Sequence, residues 1–116
     1  MPYNINGQTV TLTEEPVERN GRNFVPLQEM VQQLGGTVNW DNNTKTASAT
    51  IGQWTANVQM DNPTVNVVGQ NGSVTPVSLS EPPYVENGTL FVPWDLFRDA
   101  YGYKANMEGD TLYVHL

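Results

Sequence analysis

The chain has 116 residues, no cysteine, and 5 Lys+Arg against 12 Asp+Glu, for a formal net charge of −7. That length supports one domain with one modest core, and the missing thiols exclude disulfides and thiolate metal centres. The acid excess opposes nucleic-acid backbones and anionic membrane surfaces, which are bound mainly through Lys and Arg.

The predicted elements follow from turn residues and apolar spacing. Asn-Gly occurs four times, at Asn6-Gly7, Asn20-Gly21, Asn71-Gly72 and Asn87-Gly88. Both residue types tolerate the positive φ that a two-residue type I′ hairpin needs. Tyr3, Ile5 and Val10, Leu12 bracket the first pair; Val17 and Phe24, Val25 bracket the second. Two antiparallel hairpins are predicted there. Next, PLQEMVQQLGG places Leu27, Met30, Val31 and Leu34 at i, i+3, i+4 and i+7, the apolar stripe of a helix. Pro26 suits its first turn, and Gly35 or Gly36 its stop. A helix of about three turns does not hold alone in water, so the stripe must pack on a sheet.

Val38 and Trp40 alternate before the turn Asp41-Asn42-Asn43, and Trp40 is expected in the core. Ala47, Ala49 and Ile51 share one parity; Trp54, Ala56, Val58 and Met60 share another after Gly52. The two strands meet as a hairpin with matching inner faces. Asp61-Asn62-Pro63 then breaks the strand. Val67, Val68 and Val74, Val77 flank the third Asn-Gly, and Tyr84, Val85 and Leu90, Phe91 flank the fourth. A second helix is predicted over PWDLFRDAYGY, started by Pro93, striped by Trp94, Phe97 and Tyr101, and ended by Gly102. Tyr103, Ala105 and Met107, the turn Glu108-Gly109-Asp110, and Leu112, Val114 and Leu116 make a last hairpin. The fold class is therefore α+β: an antiparallel sheet of several hairpins with two short helices packed on it.

The chain also repeats itself at an offset of 67. Val10 and Leu12 fall on Val77 and Leu79, Pro16 on Pro83, and Asn20-Gly21 on Asn87-Gly88. Phe24-Val25-Pro26 falls on Phe91-Val92-Pro93, and Gly35 on Gly102. Two copies are too few for a solenoid. They predict one pseudo-symmetric domain over 1–116, built from repeats at about 3–60 and 64–116.

The run Asn20-Gly21-Arg22, Phe24-Val25-Pro26-Leu27, Leu34-Gly35, Val38, Trp40-Asp41 and Thr44-Lys45-Thr46 resembles the copper amine oxidase N-terminal-like domain family. The second copy departs from that pattern at Trp94, Tyr101-Gly102 and Met107-Glu108. The resemblance implies an antiparallel sheet on helix, used as a non-catalytic stalk in bacterial cell-surface and secreted proteins. Copper amine oxidase chemistry needs three His ligands and a Tyr-derived quinone. With one His, neither that activity nor copper carries over, and no cofactor is expected.

Residues with chemical potential have plainer readings. His115 is the one imidazole, on the outer parity of the last strand, with no nucleophile or orienting partner evident. The acidic turns at Asp41 and Glu108 lack EF-hand spacing and read as Asx turns rather than calcium loops. Glu14, Glu15, Glu18, Glu81 and Glu86 would need a cleft between them to act as a glycosidase pair. Tyr113 shares the outer parity of His115. Trp54 lies on an apolar face that reads first as core. Tyr113, His115 and Trp54 together form the candidate binding surface.

The expected function is a non-catalytic stalk or spacer of a secreted or cell-surface protein. Its localisation would be extracellular or cell envelope, with any signal peptide already removed. Its expected partner is another protein or a second copy, met through strand edges. The alternative is a carbohydrate- or cell-wall-binding module using exposed aromatic and Asn side chains, with cell-wall polysaccharide as partner.

Overall fold

The structure is a computed structural model that describes residues 3–116. Thirteen strands and two short helices follow in chain order: β1 (Tyr3–Ile5), β2 (Gln8–Val10), β3 (Val17–Arg19), β4 (Arg22–Pro26), α1 (Leu27–Gln33), β5 (Thr37–Asp41), β6 (Thr46–Ile51), β7 (Trp54–Gln59), β8 (Thr64–Gly69), β9 (Val74–Ser78), β10 (Tyr84–Glu86), β11 (Thr89–Pro93), α2 (Leu96–Asp99), β12 (Lys104–Glu108) and β13 (Thr111–His115). This is the expected α+β arrangement of hairpins and two short helices.

One expected sheet is in fact three. Their strand orders are β12-β13-β1-β2, β10-β11-β4-β3 and β5-β6-β7-β8-β9. All pairs are antiparallel except β1 with β13, where Tyr3 lies beside Leu112 and Ile5 beside Val114. Hairpin signals report only neighbours in sequence, so they give no sign of a pairing between the two ends of the chain.

The hairpins form where Asn-Gly supplies the turn. Asn20 and Gly21 sit at φ 55° and 78°, and Asn87 and Gly88 at 53° and 78°, both residues left-handed as type I′ requires. The third Asn-Gly differs. Only Gly72 is left-handed, and a wider loop closes by Gly69 N–H to the Ser73 carbonyl at 2.9 Å. There the Asn71 side chain accepts from Ser73 N–H at 3.1 Å, the Asx use of asparagine.

α1 forms as predicted, with Leu27, Met30 and Val31 buried and Leu34 half-buried. Pro26 ends β4 and stands at the N-cap. Past the C-cap Leu34, Gly36 N–H reaches the Val31 carbonyl (2.8 Å) and Gly35 N–H the Gln32 carbonyl (3.1 Å). That is a Schellman close, made possible by Gly35 at φ 83°.

α2 is shorter than predicted, covering four residues. Pro93 does not start it. Pro93 closes β11, paired opposite Phe24, and Trp94 N–H donates to the Asn23 carbonyl at 3.1 Å. Strand pairing therefore holds the backbone extended through Pro93, and the helix begins only at Leu96. Phe97 is buried, while Trp94 and Tyr101 flank it half-buried.

One principal core joins all three sheets and both helices, including Tyr3, Val25, Met30, Val58, Phe97 and Leu112. Tyr101 ties α2 to the five-stranded sheet, its hydroxyl donating to the Ala49 carbonyl at 2.6 Å. A second small cluster packs Phe24 edge-on to Tyr84 and stacks Tyr84 on Phe91. The Arg19 guanidinium lies 3.9 Å above the Tyr84 ring and covers that cluster. No helix among the described residues is long and apolar enough to cross a membrane.

Candidate functional site

The three residues expected to form a binding surface do not meet on one strand or one sheet. Tyr113 and His115 lie on β13, in the four-stranded sheet with β12, β1 and β2. Tyr113 is half-buried, opposite Asn4 and Asn106. His115 is exposed opposite Lys104, its Nδ1 3.1 Å from the Leu116 carbonyl. Trp54 starts β7 in the five-stranded sheet and is 40% exposed. It shares a face with buried Ala56 and Val58, yet its ring rests on Gly69 at the sheet's end, where nothing covers its outer side.

Trp40 overturns its core assignment more clearly, with 44% of its surface exposed. Parity placed Val38 and Trp40 on the same face, and they do share it. That face of β5 is half-buried at Val38 but open at Trp40, where the indole lines a groove beside α1. The groove, about 810 Å³, lies between α1, β5 and the β10–β11 hairpin. Val85, itself 40% exposed, lines it from the β10 side.

The groove's polar groups come from helical spacing and from one turn. Gln28 and Gln32 stand at i and i+4 on α1, one above the other beside the apolar stripe. Neither side chain bonds to a described residue. Asn42 follows β5, and Lys45 Nζ donates to its Oδ1 at 2.8 Å. That bond orients the amide so that its NH2 remains available. Glu29 is already engaged, accepting Thr13 N–H at 2.9 Å. The asparagine-rich turn after Trp40, and glutamines recurring beside a helix stripe, were the available sequence signals for this site.

The opposite face of the five-stranded sheet is different in kind. It carries a shallow depression of about 360 Å³ lined by hydroxyl and amide side chains and the Asp41 carboxylate. Within it Ser48 donates to Asn57 across strands at 2.8 Å, and on the same face beside it Thr50 pairs with Thr55, also at 2.8 Å. Such cross-strand pairs stabilise the sheet.

Titration is perturbed mainly by burial. Tyr3 and Tyr101 hold their protons well above the usual phenol range, because burial disfavours the phenolate. Glu29, Glu15 and Glu14 add to the effect at Tyr3. Burial also raises Tyr84, with the Arg19 guanidinium opposing the shift. Arg98 is raised by its bond to Asp99, at 2.8 Å. No three His, Asp or Glu side chains among the described residues come together as a metal cluster.

No curated protein matches the chain significantly. A family model does, that of the copper amine oxidase N-terminal domain, over residues 4–116. That domain is a non-catalytic part of copper amine oxidases. The chain belongs to the copper amine oxidase N-terminal domain family.

Proposed function

We propose that this domain is a stalk or interaction module of a secreted or cell-surface protein, associating with a second copy through strand edges. The observation that carries the association is the character of two edges. β5 and β12 end their sheets, each five residues long and without proline. Charged residues stand only at their ends: Asp41 on β5, Lys104 and Glu108 on β12. The other edges are guarded. β9 carries Pro76 at its centre, and β2, β3 and β10 are three residues each. An unguarded edge offers unpaired N–H and C=O groups to another strand. The extracellular or envelope setting rests on the stalk role that the sequence resemblance implies and on an Asn- and Thr-rich, Lys-poor composition.

The same reading takes the domain as two interlocked repeats, about 3–60 and 64–116. The support is the β4–β11 register: Phe24 opposes Pro93, Val25 opposes Val92 and Pro26 opposes Phe91. Shifting Phe24-Val25-Pro26 by 67 gives Phe91-Val92-Pro93, so the two copies meet antiparallel about a centre at the valines.

Light scattering across a concentration series tests the association. The mass should rise above the 12.9 kDa of one chain, and Asn39→Lys with Asn106→Lys should restore the monomer by charging both edges. A wild-type chain that stays monomeric at about 1 mM rules out association through these edges.

A further inference from the structure

We propose that the groove between α1, β5 and the β10–β11 hairpin is a binding site for a neutral carbohydrate, with Trp40 as its stacking platform. A pyranose ring has one face rich in C–H groups and a rim of hydroxyls. The first needs an exposed aromatic face and the second needs amide donors and acceptors. The groove offers both together. Trp40 and Val85 give an apolar wall that the fold leaves uncovered. Gln28 and Gln32 present amides with no partner among the described residues. Asn42 presents a third, aimed by Lys45. The volume of about 810 Å³ lies within the range of small-ligand sites and holds more than one sugar ring.

Charge selects the class of occupant. The chain carries −7, and the groove lining adds Lys45 and an already engaged Glu29. An anionic polymer would meet repulsion from the whole domain, with one cation to offset it. A purely apolar ligand would bury the Gln28 and Gln32 amides and the Asn42 NH2 without partners, each at a cost. A neutral glycan satisfies the amides and needs no counter-charge. An extended peptide added to β5 is the competing occupant. It would take its bonds from the strand edge and leave the glutamines of α1 unused.

The proposal names a ligand for one face of the interaction module and does not depend on association through strand edges. The test uses the whole chain and neutral hexasaccharides of β-linked glucose, N-acetylglucosamine, xylose and mannose, with polygalacturonate as the anionic control. Two-dimensional amide NMR follows each titration to about 10 mM. One neutral hexasaccharide should shift the Trp40 indole N–H and the side-chain amides of Gln28, Gln32 and Asn42, while polygalacturonate shifts none. Trp40→Ala should weaken binding about tenfold or more, with amide signals away from the groove unchanged as the check that the chain stays folded. Trp54→Ala should bind as wild type. The proposal is overturned if no neutral hexasaccharide shifts these signals. It is equally overturned if the shifts fall at Trp54 or at Tyr113 and His115, or if only an extended peptide shifts β5. Light scattering on the same samples separates the two readings: a chain that self-associates but binds none of the saccharides loses this proposal alone.

Discussion

Val25 and Val92 lie directly opposite each other across the β4–β11 pair, 67 positions apart, and neither exposes any surface to solvent. β4 leads into α1, and β11 leads toward α2. The central contact of the domain is thus between the two segments that launch the helices.

This contact sets the first prediction. Val25→Ala and Val92→Ala each remove buried methyl groups and leave a cavity, and each should cost roughly 2–3 kcal/mol in urea unfolding. Because the two touch, the double variant should not cost the simple sum. Equal single costs are expected if the two sides of the pair are equivalent. A cost below about 0.5 kcal/mol for either would contradict the placement.

The close of α1 separates two adjacent glycines. A Cβ on Gly36 would run into the Thr50 carbonyl oxygen and the Val31 and Ile51 side chains. A Cβ on Gly35 meets nothing, but its backbone is left-handed. Gly35→Ala should therefore cost about 1–2 kcal/mol, the ordinary cost of that conformation. Gly36→Ala should cost about 3 kcal/mol or more, since backbone cannot move aside as a side chain can. The reverse order by chemical denaturation would refute the close packing of α1 on β6.

Buried Tyr3, and Tyr101 with its hydroxyl bound to the Ala49 carbonyl, predict the alkaline limit. In the unfolded chain both ionise near 10, whereas Tyr3 and Tyr101 in the fold hold their protons to higher pH. Their contribution is fully present below pH 10 and declines as pH rises toward the folded values, since the unfolded chain then binds fewer protons. Unfolding free energy should fall with pH above about 10, and Tyr101→Phe should flatten that fall. At neutral pH the same substitution should cost about 1–2 kcal/mol through the lost bond to the Ala49 carbonyl. A slope unchanged by Tyr101→Phe would show that the phenol is not buried as described.

Local signals in the sequence carried much of this fold. Asn-Gly marked four of the hairpin connections, and four apolar positions with a glycine stop marked α1. What failed was decided at a distance. α2 shrank because Pro93 is held in a strand by Phe24, a residue 69 positions earlier (93 − 24). The β1–β13 pair joins chain ends that no local pattern connects. Trp40 was misplaced because parity assigns a side chain to a face but does not say how far that face is covered. The groove was missed for the same reason: Gln28 and Gln32 read as ordinary solvated helix positions until β5 and the β10–β11 hairpin are set beside them. Tyr113, His115 and Trp54 were grouped by outward parity or aromatic character, and neither property brings residues of different sheets together.

Strand edges are the proposed contact surface of the interaction module, and amide hydrogen exchange reads those edges directly. Exchange measured at low and high protein concentration should show added protection confined to Val38–Trp40 of β5, to Ala105–Met107 of β12, or to both, because only their outward N–H groups gain partners. Identical exchange at both concentrations in these two strands would contradict it.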